Sequence, residues 1–221
     1  MAARDQLTLD GLEALEAPAP ELAGREQHDL GEGCSLELQR DFAANDHLER
    51  MDALIAAVPW LQELYLRGAR PQPAPRLTSF HGDPGSGYTY SGIAYQPAPW
   101  LPELSELRAR CEARTGVGFN CVLCNLYRDG RDSVGWHADD ERELGPSRED
   151  IAIASVSLGA PRRFVLKHRR DGRRLVFELG EGSLFVMRGR TQRHWLHTLP
   201  KTQKPCGPRL NLTFRVVCEP A

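Results

Sequence analysis

The sequence contains no uninterrupted apolar run near the roughly 20 residues that a membrane-spanning helix requires. Its first residues also lack the basic and then apolar pattern of a secretory signal peptide. Charges of the two signs nearly cancel, to a net charge of -2, so the whole-chain balance does not indicate a nucleic-acid-binding protein. From these absences we expect a protein without a membrane span that works inside the cell, in the cytoplasm if bacterial and in the nucleus if eukaryotic.

The sequence also lacks a disulfide framework, a glycine-rich phosphate-binding loop and an internal repeat. Its six cysteines are scattered, which is typical of reduced thiols. Cys121 and Cys124 have a spacing found in zinc sites, but they lie in an apolar run, and no second cysteine pair completes a ligand set. We therefore interpret this pair as part of the hydrophobic core.

The length and hydrophobic pattern predict one mainly β domain with flanking helices. With 221 residues, of which 41% are hydrophobic, the chain can bury a sizeable core. One helix is predicted after a cap at Asn45 or Asp46, and a second from near Pro102 to Gly116. Eight short strands are predicted after them, at about residues 119–127, 133–139, 151–158, 162–169, 173–179, 183–188, 194–199 and 209–217. This order of elements favours a jelly-roll core, whose mouth can hold a ligand.

The part of the chain before these strands is predicted to form an extension and a lid. Residues 1–33 are rich in Ala, Glu, Leu and Pro without a sustained period, so we expect a flexible extension. Residues 36–42 are typical of a first strand. Residues 67–87 are rich in Pro, Gly and Arg. This composition is typical of a long loop, which could act as a lid or binding loop or be a plain connector. Residues 34–118 would then form one integrated domain with a core of residues 119–221.

His137 and Asp139 are two residues apart in a strand-like segment. Side chains alternate faces along a strand, so both should point to the same side. A second imidazole beside them would complete the set of two histidines and one carboxylate that non-haem Fe(II) oxygenases use. His197 is the nearest downstream candidate. Because such a pair alone is more often ordinary strand surface than a metal site, the metal hypothesis depends on the residues around it.

Two other predicted strands carry polar side chains on one face. Asn125 and Tyr127 share a face in one of them. Residues 209–215 alternate between apolar side chains and a polar set, which consists of Arg209, Asn211, Thr213 and Arg215. Since an unpaired buried charge costs several kcal/mol, two arginines on a strand of this kind require an anion.

A basic cluster occupies residues 162–174. Its members are opposed only by Asp171, and they are Arg162, Arg163, Lys167, Arg169, Arg170, Arg173 and Arg174. Such a cluster could bind phosphates. A solvated hairpin with a tight turn at Asp171 and Gly172 explains the composition equally well.

Taken together, these residues resemble the AlkB family of Fe(II)- and 2-oxoglutarate-dependent dioxygenases, most closely the branch that removes alkyl lesions from nucleic-acid bases. The resemblance covers roughly residues 59–217. It rests on the motifs PRLTSFHGD, YTYSG, CNLYRDGRDSVGWHADDERELG, IASVSLGAPRRF, GSLFVMRG, HWLHTLPK and PRLNLTFR. It implies a double-stranded β-helix core, another name for the jelly roll, with a nucleotide-recognition lid within residues 34–118, and we expect a monomer.

The resemblance also implies a cofactor and a co-substrate site. His137, Asp139 and His197 match the ligands of Fe(II), whereas His194 does not match a ligand. Arg209 matches the residue that forms a salt bridge with the far carboxylate of 2-oxoglutarate. Four further residues match groups around this co-substrate, with Tyr127 and Asn211 beside Arg209 and with Asn125 and Arg215 at the keto-acid end. O2 would be the second co-substrate.

Substrate contacts are implied as well. Tyr88 and Tyr90 match lid positions that contact the flipped base, which in relatives stacks against the first histidine ligand, here His137. Glu141 matches an acidic residue near the base. We also expect contacts between the nucleic-acid backbone and five basic residues, which are Arg76, Arg162, Arg163, Lys167 and Arg169. The segment 64–68 offers no clear aromatic wedge of the kind that some duplex-specific relatives insert.

The function implied is oxidative demethylation of 1-methyladenine and 3-methylcytosine in DNA, with RNA left open, and with release of formaldehyde, succinate and CO2. One alternative keeps the same iron chemistry on a protein side chain or a small molecule. Another is a jelly roll that binds lesions without catalysis.

Overall fold

The computed structural model of the chain describes residues 24–67, 70–90, 93–145, 147 and 149–218, and for residues 66–67, 88–90 and 93–95 it describes the backbone alone. The first elements are β1 (Arg25–Gly31), β2 (Cys34–Gln39), α1 (His47–Ala57), β3 (Leu64–Arg67), β4 (Arg70–Pro73), β5 (Leu77–Gly82), β6 (Tyr88–Tyr90), β7 (Ile93–Tyr95) and α2 (Pro102–Thr115). They are followed by β8 (Cys121–Tyr127), β9 (Val134–His137), β10 (Ile153–Gly159), β11 (Arg162–His168), β12 (Arg174–Leu179), β13 (Ser183–Gly189), α3 (Thr191–His194), β14 (Trp195–Leu199) and β15 (Arg209–Arg215). None of the helices in this part of the chain is long and apolar enough to cross a membrane.

Two antiparallel sheets form the body of the protein. The larger has seven strands in the order β1-β2-β13-β10-β15-β8-β5, and the smaller has four in the order β12-β11-β14-β9. Apolar side chains fill the space between them, including Leu36 and Phe185 from the larger sheet and Leu166 and Trp195 from the smaller. Two sheets of short antiparallel strands that pack face to face confirm the mainly β, jelly-roll prediction.

The two longer helices pack on the other face of the larger sheet. Leu54 of α1 and Leu107 of α2 are buried in one apolar cluster with Val186 of β13, whose neighbour Phe185 points between the sheets. α2 begins at Pro102 and is followed by Gly116 with φ of 72°, a left-handed conformation that favours glycine. The second helix is therefore confirmed at both of its predicted ends.

The cysteine pair lies in β8, every residue of which is buried. Burial raises the pKa of the Cys121 thiol to about 12 and that of Cys124 further still, so neither is poised as a thiolate. All six cysteines of the chain are free. The interpretation of Cys121 and Cys124 as core residues is confirmed.

The predicted N-terminal extension is wrong for its last part, because Arg25–Gly31 forms β1 at the edge of the larger sheet. Its backbone pairs with β2, with Arg25 opposite Gln39 and His28 opposite Leu36. The strand alternates exposed and half-buried positions, so its hydrophobic period is too weak to reveal it. The rest of the predicted extension, residues 1–23, lies outside the described residues.

The predicted loop of residues 67–87 is also wrong in part. It contains β4 and β5, and β5 pairs with β8 in the larger sheet. Phe80 of β5 packs in a small apolar cluster with Leu123 and Val217. Because segments rich in proline and glycine flank this strand on both sides, the sequence pattern there is that of a loop rather than of a strand.

Two features of the strand-rich half differ from expectation. The loop between β11 and β12 is longer than a tight turn, because the hairpin closes where His168 N–H donates to the carbonyl of Arg173 over 2.9 Å. Gly172 does have the left-handed conformation of a turn residue, with φ of 75°. A single helical turn, α3, precedes β14 where only strands were predicted.

Arg162 begins β11, but its side chain points into the protein and is only 3% exposed. Its guanidinium donates to the backbone carbonyls of Asp129 at 3.0 Å, Asp132 at 3.0 Å and Pro200 at 2.8 Å. The prediction that Arg162 contacts a nucleic-acid backbone is therefore wrong, because this residue holds two loops together. The next residue, Arg163, is exposed.

We expect Arg162→Ala to lower the free energy of unfolding by about 2–4 kcal/mol, since three carbonyls would lose a charged donor. Arg163→Ala, on the other face of the same strand, is the matched control and should change this free energy by less than about 0.5 kcal/mol. Urea unfolding followed by circular dichroism measures both. Equal effects of the two substitutions would contradict a structural role for Arg162.

Candidate active site

Three potential metal ligands meet at the pairing of β9 with β14. His137 and His197 are cross-strand neighbours, and their ring centroids are 4.2 Å apart. Asp139 follows two residues after His137 and is buried. One ligand atom from each residue lies within 4.8 Å of the others, so the three predicted residues converge on one point.

Neighbouring groups orient these ligands. His137 Nδ1 lies 2.8 Å from the carbonyl of Gly135, which leaves Nε2 facing the Oδ1 atom of Asp139 at 3.8 Å. Arg215 Nη2 donates to Asp139 Oδ2 over 2.8 Å. Asp139 Oδ1 is buried and accepts no hydrogen bond from any described residue. One carboxylate oxygen is thus held by an arginine while the other faces the imidazoles, as a metal ligand would.

The charge states suit a divalent metal. Burial acts to raise the pKa of Asp139, but Arg215 and then the two histidines outweigh it and hold this pKa well below its usual range. Burial and, to a smaller extent, His137 lower the pKa of His197 to about 3. At neutral pH the set is one carboxylate and neutral imidazoles, the forms that bind metal. This donor set fits Fe(II).

Gln192 of α3 supports the same site. Its side chain is 1% exposed, and its Oε1 accepts a hydrogen bond from the backbone N–H of Asp139 at 3.0 Å. Its Nε2 contacts Met187 Sδ at 3.3 Å. Gln192 was not among the predicted site residues, because a lone glutamine before a predicted strand carries no signal of this contact.

Arg209 forms a second part of the site and is almost completely buried. Its Nη2 donates to Ser157 Oγ and to Asn211 Oδ1, each at 2.8 Å, and its guanidinium carbon lies 5.5 Å from the centroid of the Tyr127 ring. Its Nη1 is buried without a hydrogen-bond partner among the described residues. Although burial lowers the pKa of Arg209 to about 10, the group is charged at neutral pH. Arg209 is therefore the cation for which the sequence predicted an anion.

The other predicted arginine, Arg215, has its anion inside the protein, since it pairs with Asp139. A bound anion is thus needed for Arg209 alone, which corrects the expectation that both arginines lack one. Two serines of β10 contact these polar residues: Ser157 Oγ accepts a hydrogen bond from Arg209, and Ser155 Oγ accepts one from Asn211 Nδ2 at 3.0 Å. Both serines were missed, although their alternation with apolar residues in β10 could have indicated them.

One cavity joins the two parts. Its walls include all the predicted ligand and co-substrate residues except Arg215, and they are Asn125, Tyr127, His137, Asp139, His197, Arg209 and Asn211. Phe164 and Leu199 supply apolar wall. Arg76 also lines this cavity, and its Nε donates to Asn125 Oδ1 over 2.9 Å. The expectation that Arg76 contacts a nucleic-acid backbone is therefore not supported by its position.

The structure describes the side chains of some of the residues predicted to contact the substrate but not of others. Tyr88 and Tyr90 lie in β6, and their side chains are outside the described residues. Burial, and then Asp139, raise the pKa of Glu141 to about 7, and within the described part of the chain its buried Oε2 has no hydrogen-bond partner. Of the basic residues, Lys167 lies over the ring of the exposed Trp136 at 5.0 Å.

Comparison with known proteins decides the family. The model of the 2OG-Fe(II) oxygenase superfamily matches residues 37–215. The alpha-ketoglutarate-dependent dioxygenase alkB homolog 3 of Mus musculus is 42% identical over 177 residues, which cover 76% of this chain and 60% of the relative. The chain belongs to the AlkB family of this superfamily. Membership implies Fe(II) as cofactor and 2-oxoglutarate and O2 as co-substrates.

Other members of the AlkB family match as well. The DNA oxidative demethylase ALKBH2 of Homo sapiens is 44% identical over 151 residues, or 65% of this chain and 57% of the relative. The protein of the same name from Arabidopsis thaliana is 34% identical over an alignment 243 positions long, which covers 96% of this chain and 76% of the relative. The chain thus spans about 60% of the length of alkB homolog 3. The solved structure of OsALKBH1 has the same fold, with a TM-score of 0.59 at 20% identity, over 86% of this chain and 99% of that one.

We expect Gln192→Leu to weaken Fe(II) binding by about 10- to 100-fold, because residues that orient a metal ligand typically contribute this much. Thr191→Val is the matched control: it removes a neighbouring buried hydroxyl that bonds to the carbonyls of Arg188 and Ser35 and not to Asp139. Anaerobic Fe(II) titration measures the dissociation constant. Unchanged affinity in Gln192→Leu would show that the contact with Asp139 does not position the ligand.

Proposed function

We propose that this protein is an Fe(II)- and 2-oxoglutarate-dependent dioxygenase that demethylates 1-methyladenine and 3-methylcytosine in DNA. The observation that carries this proposal is the presence, in one cavity, of the His137, Asp139 and His197 set and of Arg209, a cation with no ion-pair partner among the described residues. A metal set alone would fit many oxidases, but a buried guanidinium beside it requires an anionic co-substrate. The name of the human relative, a DNA oxidative demethylase, supports DNA as the substrate.

The three ligands would hold the iron, and Arg215 keeps Asp139 ionised and fixes its orientation. When bound, iron with O2 supplies oxidation of the N-methyl carbon, coupled to conversion of 2-oxoglutarate into succinate and CO2. The hydroxymethyl group on the base nitrogen then leaves as formaldehyde. The protein contributes orientation of the ligands and exclusion of water from a largely buried site.

Arg209 would bind the far carboxylate of 2-oxoglutarate. Its Nη1 is available among the described residues, while Ser157 and Asn211 hold its Nη2 and so fix the plane of the guanidinium. Tyr127 packs beside the guanidinium and Asn125 lies in the same cavity wall. This arrangement supports the co-substrate roles that the family resemblance implies.

Methylation at a ring nitrogen makes 1-methyladenine and 3-methylcytosine cationic, and a carboxylate at Glu141 would favour such bases. Flipping a base out of the stack costs a few kcal/mol, and less for a lesion that cannot pair. Tyr88, Tyr90 and His137 would contact the flipped base. The exposed side chains of Arg163 and Arg169 and the half-buried Lys167 would contact the nucleic-acid backbone.

We further propose action inside the cell, where DNA is found, as a monomer that also accepts RNA. Size-exclusion chromatography with light scattering tests the oligomeric state. Methylated RNA oligonucleotides test the second substrate.

Arg209→Lys should raise the KM for 2-oxoglutarate by about 10- to 100-fold, since lysine keeps the charge but loses hydrogen bonds worth about 1.5–3 kcal/mol. Arg163→Lys, on an exposed position, is the control and should leave this KM unchanged. Succinate release at varied 2-oxoglutarate concentration gives both values. A normal KM in Arg209→Lys would refute the proposed co-substrate contact.

The reaction itself is tested with oligonucleotides carrying 1-methyladenine, single-stranded and in duplex, with Fe(II), ascorbate and 2-oxoglutarate. We expect mass spectrometry to show loss of the methyl group and an equal amount of formaldehyde. Asp139→Ala should abolish both, whereas Asp129→Asn, which alters a surface carboxylate paired with Arg131, should not.

Full formaldehyde release by Asp139→Ala would refute the metal site. If the wild-type protein turned over 2-oxoglutarate with a peptide or small molecule but not with methylated DNA, the substrate assignment would fail. Tight binding of methylated DNA without iron-dependent turnover would instead identify a non-catalytic lesion binder.

A further inference from the structure

A second group of potential metal ligands lies outside the proposed iron site. It consists of Glu32, His168 and His194, which offer ligand atoms within 4.8 Å of one another. Glu32 lies in the turn between β1 and β2, His168 ends β11, and His194 ends α3. Residues from three separate elements are thus brought to one point, as in the iron site.

Both imidazoles face the same carboxylate oxygen. His168 Nε2 is 3.3 Å from Glu32 Oε2, and His194 Nδ1 is 3.4 Å from it. The other oxygen, Oε1, accepts a hydrogen bond from Arg170 Nη2 at 3.0 Å. An arginine therefore holds one oxygen and leaves the other toward two histidines, which is the arrangement that Arg215 gives Asp139.

His168 is oriented from behind by a carboxylate. The ring is 2% exposed, and its Nδ1 lies 2.8 Å from Asp171 Oδ1. A carboxylate on the far nitrogen of a histidine is the usual companion of a metal ligand, because it fixes the tautomer and directs the other nitrogen's lone pair at the metal. The backbone N–H of Asp171 also approaches this Nδ1, at 3.4 Å. On the other side of the ring, Nε2 shares a hydrogen bond with Glu32 Oε2, which a cation bound by both atoms would replace.

His194 faces Glu32 through Nδ1. Its other ring nitrogen, Nε2, is buried and has no hydrogen-bond partner among the described residues. The ring stacks on that of His168, with centroids 6.3 Å apart and planes at 16°. The two imidazoles therefore approach Glu32 from the same side.

Glu32, His168 and His194 line a small cavity together with three arginines. The guanidinium groups of these arginines do not exclude a cation, because each is paired with a carboxylate. Arg170 pairs with Glu32, Arg169 with Asp140 at 3.0 Å, and Arg193 with Glu149. A phosphate in the same place would face the carboxylate of Glu32 at close range. Because Glu32 also neutralises Arg170, the charges only balance, and the preference for a cation rests on the ligand atoms, which are two imidazole nitrogens and one carboxylate oxygen.

We propose that Glu32, His168 and His194 form a second metal site that takes a divalent ion of the Zn2+ class. Two imidazole nitrogens and one carboxylate oxygen suit zinc and leave a fourth position for water. The ion would join the tip of the β1–β2 hairpin to β11 and to α3, and it would stabilise the folded chain by binding it in preference to the unfolded one.

Zinc binding is best measured in the Asp139→Ala background, in which the proposed iron site is disabled. We expect isothermal titration of this full-length, metal-free variant with ZnCl2 to show one remaining equivalent, and Co2+ to give visible absorption from the same site. Adding Glu32→Gln should remove both signals. Glu178→Gln is the matched control: it removes an exposed carboxylate of β12 that does not line this cavity, and it should leave both signals intact.

Thermal unfolding supplies a second measurement. In the same Asp139→Ala background, ZnCl2 should raise the Tm of the protein that carries Glu178→Gln but not that of the protein that carries Glu32→Gln, and both should fold because Glu32 and Glu178 are exposed. Zinc binding that is unaffected by Glu32→Gln would overturn the proposal. A Tm raised by inorganic phosphate and not by zinc would overturn it in favour of an anion site. Since the proposed iron site is disabled in every protein compared, failure here is distinct from failure of the proposed demethylase activity.

Discussion

The register between β9 and β14 is the constraint on which the rest of the site depends. It places His137 opposite His197, with ring centroids 4.2 Å apart. Because side chains alternate along a strand, a slip of one residue would turn one imidazole to the opposite face and separate the ligands. A hydrogen bond of 2.6 Å from Thr198 Oγ1 to the carbonyl of Val134 joins the same two strands beside the site. Backbone pairing therefore sets the positions of the two histidines, whereas Asp139, which follows the end of β9, is held by Gln192 and Arg215.

Burial of charge is the second constraint. Removing an ion from water costs several kcal/mol even after the protein relaxes. Arg215 and Asp139 compensate each other, whereas Arg209 has only neutral acceptors in Ser157, Asn211 and a backbone carbonyl among the described residues. An apolar residue in place of Arg209 would make the folded protein more stable. A cavity that retains such a buried cation therefore has the pattern expected of a binding site rather than of a hydrophobic core.

The strands after residue 118 could be predicted because they are short apolar or alternating segments bounded by turn residues, and residues 209–215 show both a polar and an apolar face in the sequence itself. The spacing of His137 and Asp139 suggested a metal, but only the fold brings His197 to them. Other features depend on contacts between distant residues and leave no periodic trace. Gln192 reaches a backbone amide 53 residues away, and the carbonyls that Arg162 binds belong to two different loops.

β9 is the last strand in the order of the smaller sheet, so one of its sides pairs with no strand formed by the described residues. Edge strands open more easily than central ones, and this strand carries one of the two imidazoles. An ion shared between His137 on the edge and His197 on the neighbouring strand would act as a cross-link that fastens the margin of the sheet. Metal binding and fraying of β9 would then be thermodynamically coupled: loss of the ion would favour fraying of this strand, and fraying would weaken binding of the ion.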